Sequence, residues 1–137
     1  MTVLLDTNAL LWFSVGSDAL GAQTRAVIAA SEQDRTLTFS AVSIWETAML
    51  VRKRRYELDI PVAVWRTQLL DAGLNEAPLD GSAAGLAADI ANLHPDPADR
   101  FIAATAVHLD ALLVTSDRKL LDWVAQDAMV RALDARR

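Results

Sequence analysis

The chain contains no cysteine, which excludes both a disulfide framework and a thiolate metal site and fits a reducing compartment such as the cytoplasm. Histidine is almost as scarce, with two among 137 residues. A metal site must then rest mainly on oxygen ligands, a donor set that suits Mg²⁺ or Mn²⁺ better than zinc. No apolar run reaches the roughly 20 residues needed to cross a membrane. The N-terminus lacks a basic region and is interrupted by Asp6, so it does not read as a signal peptide. Repeats, low-complexity tracts and linkers are missing too. Positive charge is in deficit: 13 Lys and Arg face 18 Asp and Glu, a formal net charge of −5. That balance argues against holding nucleic acid by bulk attraction alone. If the protein acts on a polyanion, local basic residues or bound cations must offset its acids.

What is present is apolar. Hydrophobic residues make up 53% of the chain, enough for one domain, residues 1–137, with a substantial core. Val3-Leu4-Leu5 suits a strand buried on both faces of a parallel sheet. The run stops at Asp6, Thr7 and Asn8, where a helical pattern begins, so Asp6 stands between strand and helix. At that edge of an open α/β sheet a carboxylate either caps the helix or joins a site. Ser14 to Ser17 reads as a turn, Asp18 to Ala30 as a helix, and Thr36 to Phe39 as a second strand. Ser43-Ile44-Trp45-Glu46 has the capping-box spacing and opens a helix ending in Arg52-Lys53-Arg54-Arg55. Pro61 begins another helix, which Gly73 ends. Leu74 to Leu79 is a third strand and Asp80 to Leu93 a helix. Asp96 caps, and Pro97 begins, the segment leading into Phe101 to Leu109. Ala111 to Thr115 is a second buried strand, followed by Ser116, Asp117 and a helix to about Trp123. Met129 to Leu133 reads as an edge strand. Strands alternating with helices predict an α/β fold with a parallel sheet covered on both faces.

Four acids share one local grammar. Asp6 and Asp117 follow apolar strands directly, whereas Glu46 and Asp99 lie in the first turn of predicted helices. In a parallel sheet both kinds of position fall at the same edge, so the four can converge on one cleft. Helix capping and the helix dipole account for each acid singly. They account less well for two strand-ending acids on neighbouring strands, which would repel one another unless a cation or raised pKa values compensated.

Leu5-Asp6-Thr7-Asn8, Ser43-Ile44-Trp45-Glu46, the segment from Asp96-Pro97-Ala98-Asp99-Arg100 to Ala106, and Val114-Thr115-Ser116-Asp117 closely resemble the PIN-domain ribonucleases, in order and spacing. The length resembles the toxins of bacterial VapBC toxin–antitoxin modules. The resemblance implies a three-layer αβα sandwich, Mg²⁺-dependent cleavage of RNA with Mn²⁺ as a possible substitute, and a homodimer inhibited by a cognate antitoxin. It implies that Asp6 and Asp99 are the principal metal ligands and that Glu46 and Asp117 complete the quartet, directly or through water. Asn8 and Thr115 or Ser116 would hold those carboxylates by hydrogen bonds. Asp99 is preferred to Asp96 as the third acid because it directly precedes the Phe101–Ala106 segment, whereas Asp96 is explained as a cap. The match is weakest from Asp59 to Leu93.

The remaining candidates have two readings each. Arg52 to Arg55 either grips RNA phosphates or an antitoxin lying over the cleft, or is a solvated helix end complementing the dipole. Arg100 either meets a scissile phosphate or pairs with Asp96 or Asp99. Of the two histidines, neither is expected to bind zinc, and His94 alone is a candidate base. Trp12, Trp45, Trp65 and Trp123 are core residues, or in part cover a partner surface. Two other functions compete with the nuclease. One is a phosphatase that forms an aspartyl-phosphate, although Asn8 stands where such enzymes carry a second acid and no partner lysine is evident. The other is a PIN-like module that binds RNA or a partner without cutting.

Overall fold

Val3, Leu4 and Leu5 have no side that faces water: each is at most 3% exposed, and together they form the central strand, β1 (Val3–Leu5). The computed structural model describes residues 1–127 and 129–137. The chain continues through α1 (Thr7–Ser14), α2 (Ala22–Gln33), β2 (Leu37–Ser40), α3 (Ala41–Arg52), α4 (Val62–Asp71) and β3 (Asn75–Ala77). It then forms α5 (Gly81–Asp89), α6 (Pro97–Leu109), β4 (Leu112–Thr115), α7 (Arg118–Asp127) and β5 (Arg131–Asp134). All five strands are parallel, in the order β3-β2-β1-β4-β5. Alternation along β1 divides the interior in two. Val3 and Leu5 pack with Leu10, Ile28, Trp65 and Leu69 of α1, α2 and α4. Leu4 packs on the other face with Ile102, Leu120 and Trp123 of α6 and α7. The result is the expected αβα sandwich. No helix among the described residues is long and apolar enough to cross a membrane.

The chain runs from β1 out to β3, then returns to β4 on the opposite side of β1. Strand order therefore reverses between β1 and β4, and the crevice beyond their carboxyl ends is where such sheets take ligands. Register reinforces this: Leu5 pairs with Val114, and the Asp6 N–H donates to the Val114 carbonyl at 3.0 Å.

Two predicted helix starts move. The helix expected from Asp18 begins at Ala22, because the Gly21 N–H is tied to the Ala135 carbonyl at 2.9 Å. A Cβ on Gly21 would lie 2.1 Å from the Arg137 backbone, so only glycine fits there. The helix expected from Ser43 begins at Ala41, capped by Ser40, whose Oγ accepts the Val42 N–H at 3.1 Å. The capping-box reading of Ser43 and Glu46 is therefore corrected. Spacing of three residues also describes one face of a helix interior, and that is where the pair lies. Two further ends come early: α3 stops at Arg52, before the rest of the basic run, and α5 at Asp89. Asp96 and Pro97 begin α6 as expected, the Asp96 carboxylate accepting the Ala98 N–H at 3.0 Å.

Candidate active site

Asp6 ends β1 and caps α1 at once. Its Oδ1 accepts the Ala9 N–H at 2.9 Å, and its Oδ2 accepts the Thr115 hydroxyl from the end of β4. The Asp117 N–H donates to that same hydroxyl at 3.0 Å, so Thr115 ties together the two strand ends that carry Asp6 and Asp117. Asp117 in turn accepts the Lys119 and Leu120 N–H groups at 2.7 and 3.2 Å, opening α7. Capping and convergence are thus compatible. One carboxylate serves the helix start while the sheet edge brings it to the others.

Glu46 enters from α3. Thr7 donates to its Oε1 at 2.5 Å and lies 2.9 Å from the Ser43 Oγ. Asp99 enters from the first turn of α6. Asp6, Glu46, Asp99 and Asp117 line one cleft of about 230 Å³ with Thr7, Asn8, Leu50 and Asp96. Among the described residues no lysine or arginine lines it.

The cost of this crowding appears in the acids themselves. Burial raises the Asp6 carboxyl from 3.8 to about 6, against the hydrogen bonds from Thr115 and Ala9, while Asp117 and Glu46 repel its charge. Asp99 is raised to about 7, by burial first and then by the fields of Asp117, Asp96, Glu46 and Asp6. Glu46 is raised as well, by burial opposed by its bond from Thr7, with Asp96 and Asp117 adding repulsion. A divalent cation answers all of these costs at once, and the hard oxygen donors suit one. Beside these acids, His94 Nε2 is buried without a hydrogen-bond partner among the described residues and lies 3.3 Å from Asp99 Oδ2. His94, Asp99 and Asp117 each present a ligand atom within 4.8 Å of the others.

The remaining candidates separate. Thr115 meets Asp6 as described. Asn8 is exposed and lines the cleft, but neither its side chain nor that of Ser116 bonds a carboxylate among the described residues. Ser116 contributes its carbonyl to Arg136, at 3.0 Å. Arg100 turns away from the acids. Its guanidinium donates to the carbonyls of Ala87, Ala88, Ile90, Leu93 and His94, at 2.6 to 3.4 Å. It pairs with neither Asp96 nor Asp99, contrary to expectation. Arg52, Lys53, Arg54 and Arg55 are exposed and form no ion pair among the described residues. Trp65 and Trp123 are core, but Trp45 is 60% exposed. Reading the sequence missed Thr7 as a partner of Glu46 and Asp96 as part of the cleft lining; it named Ser43 only as a cap and His94 only as a candidate base. Thr7 was signalled only by standing between Asp6 and Asn8.

A parallel sheet whose carboxyl edge gathers four acids at its point of reversal defines a class, and the chain belongs to the PIN-domain family: the PIN domain matches residues 3–125. It is similar to Ribonuclease VapC22 of Mycobacterium tuberculosis (strain ATCC 25618 / H37Rv), 37% identical over 120 residues, or 87% of this chain and 89% of the relative. Its fold matches that in the crystal structure of VapBC2 from Rickettsia felis bound to a DNA fragment from their promoter. There the TM-score is 0.70 and the identity 14%, over 97% of this chain and 98% of that one. FitAcB from Neisseria gonorrhoeae matches at a TM-score of 0.59 and 20% identity, over 98% of each chain.

Proposed function

We propose that the chain is one catalytic domain, a divalent-metal-dependent endoribonuclease acting as the toxin of a type II toxin–antitoxin pair. The convergence of Asp6, Glu46, Asp99 and Asp117 on one cleft that no lysine or arginine lines among the described residues carries this reading. Similarity to a protein named as a ribonuclease supports the substrate class. Asp6 and Asp99 would hold Mg²⁺, with Mn²⁺ able to replace it, and Glu46 and Asp117 would complete the set, directly or through water. Such a cation lowers the pKa of water and offsets charge developing on a phosphate. Thr115 holds Asp6, and Thr7 holds Glu46, so two of the carboxylates are oriented before any ion arrives. Asn8, exposed at the cleft, would meet the RNA rather than hold a carboxylate. Water attacking phosphorus in line with the 3′-oxygen leaves a 5′-phosphate and a 3′-hydroxyl.

A homodimer and a cognate antitoxin belong to the same reading. Exposed Trp45 borders an apolar cavity of about 300 Å³ with Leu79, Pro97 and Phe101, beside Glu46 and Asp99. Burial of that face between two copies would bring the clefts of both protomers near the interface. Light scattering is expected to give a dimer that Trp45→Glu converts to monomer.

Incubation with single-stranded RNA tests the activity. Mg²⁺ or Mn²⁺ should support cleavage to 5′-phosphate ends, and EDTA should stop it. Binding without cutting under all conditions would identify a non-catalytic module instead. Release of inorganic phosphate from an aryl phosphate, with RNA left intact, would identify a phosphatase.

A further inference from the structure

Among the described residues, His94 is a cleft-side group that the four-acid reading leaves without work. Its Nδ1 is 3.4 Å from the Asp96 N–H, which can only donate. A neutral ring in that setting carries its proton on Nε2. That nitrogen is buried, lacks a hydrogen-bond partner, and is 3.3 Å from Asp99 Oδ2. Buried donors rarely remain unpaired, and a small rotation of the Asp99 carboxylate would pair this one. The backbone around the ring is restrained from two sides. His94 and Asp96 each precede a proline, which disfavours helical backbone at both. Arg100 meanwhile grips the His94 carbonyl at 3.3 Å and the Leu93 carbonyl at 2.7 Å.

We propose that His94 is a positioning residue for the cation site: its Nε2–H holds one oxygen of Asp99, fixes which oxygen is left for the ion, and is itself held by Asp96 and Arg100. The inference rests on the metal-dependent reading of the cleft. It assigns Arg100 a place in the site without contact to substrate: Arg100 anchors the segment that carries the ring. It also explains why an imidazole stands among acids without being a ligand. The Nδ1 lone pair faces the Asp96 N–H, and Nε2 carries a proton that a directly bound cation would have to displace.

Mn²⁺ binding tests this, followed by calorimetry and by pulsed electron paramagnetic resonance on protein labelled with ¹⁵N-histidine. The glutamine amide can donate from nearly the place of Nε2, so His94→Gln should keep Mn²⁺ and Mg²⁺ affinity within about threefold of the parent. His94→Leu should weaken both by about tenfold or more, the range seen when the group holding a ligand is removed. Both variants should melt in EDTA as the parent does. The labelled parent, which needs no substitution, should show no directly coordinated histidine nitrogen. A strong nitrogen coupling that His94→Gln abolishes would overturn the proposal in favour of direct ligation. Equal affinity of His94→Leu and the parent would overturn it in favour of a ring that merely fills space. If the parent itself fails to bind Mn²⁺ saturably, the metal-dependent reading falls and this inference with it. Nitrogen coupling or unchanged His94→Leu affinity would leave that reading intact.

Discussion

Two glutamates on the same sheet-and-helix frame are treated in opposite ways. Glu76 on β3 is gripped by Arg66 through two hydrogen bonds of 2.6 and 2.8 Å, and this pairing lowers its pKa. Glu46 faces other acids across the cleft, and burial with their repulsion raises its pKa. The protein can therefore neutralise an acid with its own arginine and does so at the sheet edge. At the cleft it does not, although Arg100 is adjacent in sequence to Asp99. That arginine spends its five donors on carbonyls. Among the described residues, the contrast leaves the acids of the cleft without a basic side chain of their own, as the proposed cation site requires.

Breaking the unpaired side should have the largest effect. Asp6→Asn and Asp99→Asn are each expected to lower cleavage by roughly 10²–10³-fold, the range for loss of a group stabilising transition-state charge. In EDTA at pH 8 the same variants should be at least as stable as the parent, since each removes a repelling charge. Single-turnover cleavage and urea titration measure the two sides. Retained cleavage in both variants would remove the nuclease assignment.

Arg100→Met should come next. It strips donors from five part-buried or exposed carbonyls and should cost roughly 2 kcal/mol in urea unfolding. An arginine that touched phosphate instead would leave stability unchanged and raise KM alone.

The two regions should also respond to pH with opposite sign. Asp6 and Asp99 have folded values near 6 and 7 against 3.8 for the free group. The folded protein therefore binds more protons than the unfolded chain between about pH 4 and 7. Metal-free stability should be full below pH 4 and should fall as pH rises through 6 and 7. Asp6 alone is worth on the order of 3 kcal/mol. Glu76, whose folded value is lowered, contributes above its free value of 4.5 and loses that contribution as acid is added. Thermal melts in EDTA across this range should show the first fall, and saturating Mg²⁺ should flatten it. A metal-free stability that rose from pH 5 to 8 would contradict the raised values.

The smallest effect is expected at the paired side. Arg66→Gln should lower stability only slightly, and high salt should erase the difference, because Arg66 is open to solvent.

Short-range chemistry was legible in the sequence. The apolar runs Val3–Leu5 and Ala111–Thr115 suit strands with both faces buried, and they became β1 and β4. Asp96 and Pro97 can hardly do other than begin a helix. The motif acids at the strand ends were legible too, because a residue that directly follows a buried strand stands at the carboxyl edge of the sheet. The reading of Ser43 and Glu46 as a cap failed because three-residue spacing describes both a capping box and a helix face. Ser40, at the end of β2, had already taken the cap. Arg100 misled because its sequence neighbours are acids, while its partners in space are carbonyls up to 13 residues away.

By itself, then, the sequence determined the alternation of strands and helices and the kind of residue at each junction, since these depend on groups within a few bonds or one helical turn. Only the tertiary structure decided which junctions meet. Thr115 and Asp6 are 109 residues apart, and Thr7 and Glu46 are 39 apart. The first contact follows from the strand order that reverses between β1 and β4, and the second from the pairing of β1 with β2, arrangements set by packing two apolar faces rather than by any local preference. Burial in that crevice, which no linear pattern encodes, is also the first cause of the raised Asp6, Glu46 and Asp99 carboxyls.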